Sequence, residues 1–196
     1  FALLDLAEAE RLRALDWRGP ILLLEGCFEP RDLELCSRLR LWHAVHSEHQ
    51  IDWLAMHKTH EPHRVFLKLN SGMNRLGFRP EQAASVMQQL RTLPQVQLST
   101  IMTHFATADD DRGVAAQWQR FAPVATASGL AISAANSAAV FRHPHTHGAI
   151  VRPGITLYGC SPFADCHGAA LGLQTTMTLS ADIIAIQQLQ AGDSKG

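Results

Sequence analysis

The chain has 196 residues, with 17 basic against 18 acidic side chains, a formal net charge of −1, 46% hydrophobic and 18% charged residues. That balance excludes a disordered tail and leaves no electrostatic footprint for nucleic acid or an anionic membrane. No apolar run approaches the ~18 residues of a membrane span, and the length predicts one domain with at most a scrap of a second.

In chain order, residues 1–15 place Phe1, Leu4, Ala7, Leu12 and Leu15 on one face and predict an amphipathic helix. They carry no basic leader or small-residue cleavage site, so no signal peptide is read here. A chain that starts with Phe1 inside such an element is expected to come from a longer one. Residues 21–25 predict a buried strand bounded by Gly19-Pro20 and Gly26, and residues 31–39 a helix. Residues 42–46 predict a weaker strand, followed by a helix capped by Ser47 with Gln50 three positions on. Further strands are expected at 65–69, 98–102, 130–134 and 149–151. Helices are expected from Pro80 to about residue 93, over 113–128, and from the cap Asn136 to about residue 142.

Strand and helix thus alternate six times, which predicts a parallel sheet with helical cover. An open doubly wound sheet and a closed (β/α)8 barrel compete; no GxGxxG follows a strand, which disfavours the former. The expectation is an incomplete α/β TIM-type barrel of about six units over residues 1–160, with a linker over 161–172. Residues 173–196 are expected to begin a β domain, because Met177, Leu179, Ala181 and Ile183 alternate with polar residues over 175–189.

Four clusters fall where strands end, the active face of a parallel α/β fold. They are Lys68 through Arg75 to Gly77; Thr103-His104-Phe105-Ala106; Asn136-Ser137-Ala138-Ala139; and Arg152-Pro153-Gly154-Ile155. Each alone is ordinary: strand-end basic residues, a structural histidine, a helix cap. If the strands are the last six of a barrel, the last two clusters follow strands seven and eight, a common phosphate site.

Together these tracts resemble the bacterial alanine racemases, fold-type III pyridoxal-phosphate enzymes. Lys68–Gly77 is similar to the family's K-x-x-x-G-M-x-R-L-G signature, and the other clusters, with the stretch from Gly19 to Gly26, follow in order. The resemblance implies interconversion of L- and D-alanine, supplying D-alanine for peptidoglycan, by a cytoplasmic bacterial homodimer carrying pyridoxal 5'-phosphate. It implies that Arg152 faces the pyridine nitrogen and that His104 orients Arg152. Ser137, Gly154 and Ile155 would hold the phosphate with Asn136 beside them. Arg75 would meet the substrate carboxylate, and Lys68 is a carbamylation candidate. The family's Schiff-base lysine tract and its partner-serving tyrosine have no match here, so the chain is expected to be a fragment, inactive alone; the lysines are Lys58, Lys68 and Lys195 and the tyrosine is Tyr158. A broad-spectrum amino-acid racemase and a non-catalytic pyridoxal-phosphate-binding protein are the alternatives, the second disfavoured by the alternating segment 175–189.

Two histidine sets, His57/His60/His63 and His143/His145/His147, look metal-like. Pro62 and Pro144 interrupt them, so exposed loop histidines are expected and no metal site. The cysteines Cys27, Cys36, Cys160 and Cys166 form no CxxC pair and are expected to be reduced thiols.

Overall fold

The computed structural model describes residues 1–193. Six parallel strands form one sheet: β1 (Ala2–Leu3), β2 (Leu22–Leu23), β3 (Trp42–Val45), β4 (His63–Lys68), β5 (Val96–Met102) and β6 (Ala131–Ser133). Their spatial order is their chain order. A doubly wound sheet reverses direction at a switch point, so a sequential order settles the competition in favour of an incomplete barrel. Between the strands run α1 (Leu6–Ala14), α2 (Asp32–Arg38), α3 (Glu48–Met56), α4 (Ala83–Thr92) and α5 (Ala115–Ser128), and after β6 comes α6 (Ser137–Arg142).

Side chains alternate across the sheet. Leu23, Val45, Val65, Leu67 and Ile101 face the helices and join one large core with Leu33, Leu54, Leu90 and Phe121. Leu22, Ala44, Phe66 and Met102 form a small cluster on the opposite, inner face. Lys68 shares the inner parity of Phe66, which carries its amine toward the barrel axis at the strand's C-terminal end.

Three expected elements differ. The opening is a short strand before a helix. The Asp5 side chain accepts from the Ala7 amide (2.6 Å) and caps α1, while the Leu22 and Leu24 amides donate to the Phe1 and Leu3 carbonyls at 2.9 Å each. A carboxylate that satisfies a first-turn amide fixes where a helix begins, which the apolar spacing alone does not.

The expected strand at 149–151 does not form; one isolated bridge, Asn136 to Arg152, follows it directly. The Ile150 and Arg152 amides donate to the Ile132 and Ala135 carbonyls at 3.3 and 2.8 Å, and the Ser133 hydroxyl adds a bond to the Ile150 carbonyl at 2.9 Å. Pro153, which lacks an N–H, follows at once.

Residues 173–190 form no helix or strand, and Leu179, Ile183, Ile184 and Ile186 are exposed. Period-two patterning marks which face a strand would bury, but a strand exists only when its N–H and C=O groups find a ladder partner. The last three residues of that expected segment, Ser194, Lys195 and Gly196, lie outside the described residues. Among the described residues, no helix is long and apolar enough to cross a membrane.

Candidate functional site

At the C-terminal ends of the strands a cavity of about 510 Å³ is lined by His104, Asn136, Ser137, Arg152, Gly154 and Ile155, together with Met73, Asp109, Ser161 and Pro162. Six residues singled out in the sequence therefore meet in one place. The volume suits a ligand of cofactor size.

Asn136 is the N-cap of α6: its Oδ1 accepts from the Ala139 amide (3.1 Å), and its Nδ2 donates to the Phe105 carbonyl (3.2 Å), tying the loop after β6 to the loop after β5. Ser137, buried beside it, accepts from the Gly154 amide (2.8 Å) and from the Thr156 hydroxyl (3.3 Å). A hydroxyl has two acceptor positions and one proton. Both acceptor positions are taken, so the Ser137 proton remains available to an anion in the cavity. A Cβ placed on Gly154 would meet nothing within 4 Å, so this stretch leaves open space for a ligand.

Arg152 is half-buried and its guanidinium is fixed from two sides. Nη1 donates to Ser133 Oγ at 2.6 Å, and Nη2 donates to the Thr103 carbonyl at 2.5 Å and the Ala134 carbonyl at 3.5 Å. Burial pushes its pKa down to about 10, which leaves it charged at neutral pH. Arg152 donates to Ser133 and to carbonyls, and no hydrogen bond joins it to His104 among the described residues. His104 is pushed down to about 4 by burial and by the nearby charges of Arg152, Arg75 and Lys68. It is neutral at pH 7, and a charged form would stand beside three cations.

Lys68 is buried and donates to the Leu24 carbonyl at 3.3 Å. Burial, then Arg75 and Arg152, lower its pKa to about 8. Arg75 is exposed and stands outside the residues lining the cavity. The loop that carries it is closed by Gly77, whose φ is +119° and whose Cβ would fall 2.6 Å from the Asn70 amide nitrogen. Only glycine allows that packing on the end of β4.

Sequence reasoning missed Ser133, and the role of the Thr103 carbonyl, in holding Arg152, as well as the cavity positions of Asp109, Ser161 and Pro162. The triplet Asp109 to Asp111 reads as a solvated turn, yet Asp109 faces the cavity. The expectation of exposed histidines also fails for His63, which is buried at the start of β4. Its Nδ1 is 3.2 Å from Nε2 of buried His43, and its Nε2 is 3.2 Å from Ser37 Oγ.

The fold and site define a parallel α/β barrel segment in which one cavity brings together a serine hydroxyl and a fixed guanidinium. A sequence model described as "Alanine racemase, N-terminal domain" matches residues 1–162, and the chain belongs to that family. It is 60% identical over 200 residues to the alanine racemases of Polaromonas sp. and Acidovorax sp., matching 100% of itself and 55% of each. The biosynthetic alanine racemase of Pseudomonas aeruginosa superposes with a TM-score of 0.83 at 39% identity, over 89% of this chain and 49% of that one. The Acinetobacter baumannii alanine racemase gives 0.85 at 34%, over 100% and 56%. The chain spans about half the length of the curated relatives it matches.

Proposed function

We propose that this chain forms the cofactor-holding part of an alanine racemase, a cytoplasmic homodimer that interconverts L- and D-alanine with pyridoxal 5'-phosphate. The observation that carries this reading is the one cavity lined by both Ser137 and Arg152. The donor set fits the group. Ser137 has an uncommitted proton for a phosphate oxygen, and Gly154 and Ile155 bring backbone beside it. Arg152 offers only N–H donors, so it suits an unprotonated ring nitrogen.

When bound, the pyridoxal group supplies an electron sink that acidifies the substrate's α C–H. Arg152 cannot take up or release a proton at the ring nitrogen near neutral pH, which keeps that sink weak and suits racemisation. His104, neutral at that pH, adds no charge beside the ring. Arg75 is the cation assigned to the substrate carboxylate.

Lys68 completes the site as a carbamate. With a pKa of about 8, roughly a tenth of its amine is neutral at pH 7. That amine attacks carbon dioxide, an N–C bond forms as one C=O π pair moves onto oxygen, and an N–H proton leaves to water. The product is an anion, which converts repulsion of Arg75 into attraction. Native mass spectrometry in bicarbonate would show the added mass of one carbon dioxide on the Lys68 peptide; its absence there removes this element.

The test of the main reading is a calorimetric titration of the full chain with pyridoxine 5'-phosphate, an alcohol that forms no imine with the chain's lysines. Saturable binding that weakens about tenfold in Ser137→Ala and in Arg152→Gln is expected from loss of one charge-assisted contact each. Binding that ignores both substitutions would reject the proposal.

A further inference from the structure

The opposite, N-terminal end of the strands carries another cavity, of about 610 Å³, unused by the reading above. It opens where α1 leads into β2 and α2 leads into β3. Arg13, Arg18, Arg38 and Arg40 line it together with Trp42 and Gly19, and no carboxylate is among its lining residues. Arg64 lies over the Trp42 ring, its guanidinium carbon 4.3 Å from the ring centre, and adds a fifth cation to this end of the sheet.

The charges are only partly compensated. Arg18 pairs with Asp16, and Arg38 reaches Glu10 at 3.5 Å, both on the surface. Arg13 spends its N–H groups on carbonyls: Nε donates to Leu39 (2.9 Å), and Nη1 donates to Trp17 and Gly19 (2.8 Å each). It keeps its full charge with no carboxylate partner. Arg40 has no ion-pair partner among the described residues, and its φ of 51° is a conformation that only a few non-glycine residues adopt. Burial, and after it the nearby charges of Arg18 and Arg40, depress the pKa of Arg13, so cations crowd at this end of the sheet. Guanidinium groups converging on a concave surface match the oxygens of phosphate groups in geometry and charge.

We propose that this cavity binds a small, multiply charged phosphate anion, a di- or triphosphate, at the end of the strands opposite the Ser137–Arg152 cavity. It holds the anion through Arg40, Arg18 and Arg38 while Arg13 supplies fixed positive potential behind them.

The test is calorimetric titration of the full chain with sodium tripolyphosphate at constant ionic strength. The paired substitution Arg18→Gln with Arg40→Asn removes two cations, and asparagine tolerates the positive φ at position 40. A second pair, Arg18→Gln with Arg38→Gln, changes only exposed side chains and keeps the test valid should the first fail to fold. Saturable binding weakened about tenfold by either pair, unchanged by Ser137→Ala, and reduced by added salt is the expected result. Equal affinity for adenosine triphosphate assigns recognition to the phosphates alone, and tighter binding adds a nucleoside contact; both support the site. No saturable heat, or binding that survives both pairs or is lost in Ser137→Ala, would overturn it.

Discussion

Arg152 is useful only because its direction is fixed. A guanidinium on a flexible stem loses rotamer freedom whenever it meets a ligand, and here Ser133 and the Thr103 carbonyl have already imposed that order. Substituting Ser133→Ala leaves Nη1 without its acceptor in a half-buried place. Affinity for pyridoxine 5'-phosphate is expected to fall by about 1.5–3 kcal/mol, the range for a hydrogen bond to a charged group. An unchanged titration curve would show that the carbonyls suffice. Arg152, Ser137 and Asn136 were legible in the sequence because each ends a strand or opens a helix, where polar residues stand out. Ser133 was not legible. It is a small polar residue within a short strand, and neither its size nor its spacing distinguishes it from an ordinary buried serine. His104 stood out only as a polar residue after a strand, and it lines the cavity.

The elements position the site through a few local devices. Gly77 lets the loop after β4 fold back so that the Phe78 amide donates to the Lys68 carbonyl at 3.0 Å and the Asn70 amide donates to the Phe78 carbonyl at 2.8 Å. With a positive φ and backbone atoms 2.6 and 2.7 Å from a new Cβ, Gly77→Ala forces this closure open. The expected cost is about 2 kcal/mol, read as a lower urea midpoint with an unchanged m-value; an unaltered midpoint would contradict the account. Helix positions followed from apolar spacing and from caps, as Asn136 at α6 illustrates. The strands with more than three residues were equally plain. The two-residue strand Ala2–Leu3 was hidden because its apolar residues fit a helical period as well as an extended one, and only the Asp5 cap separates the two. Residues 175–189 mislead in the opposite sense: their alternation describes a face, while pairing depends on a neighbour that the pattern does not contain.

For the whole molecule, the sequential strand order places the ends of β5 and β6 side by side, and so brings His104, Asn136 and Ser137 to one rim. The same architecture buries a histidine pair between the sheet and its helices. Burial and mutual repulsion push His43 down to about 3, and burial with His57 pushes His63 down to about 4. Both are neutral in the folded chain, whereas in the unfolded chain they titrate near 6.5. A folded pKa below the unfolded one means that the unfolded chain binds more protons on acidification. Stability is therefore complete above pH 6.5 and is lost as pH falls from there toward 4, by about 2 kcal/mol per histidine at pH 5. Urea melts at pH 7.5 and pH 5 should show this fall, and equal midpoints would mean that the pair is already hydrated.

The central claim is that one small molecule is gripped at opposite ends by Ser137 and Arg152. A crystal structure of the full chain grown with pyridoxine 5'-phosphate tests it most directly. The account expects the phosphate against Ser137, Gly154 and Ile155, with the ring nitrogen accepting from the Arg152 guanidinium. A phosphate lodged elsewhere, or a ring nitrogen turned away from Arg152 toward Asp109, would contradict it.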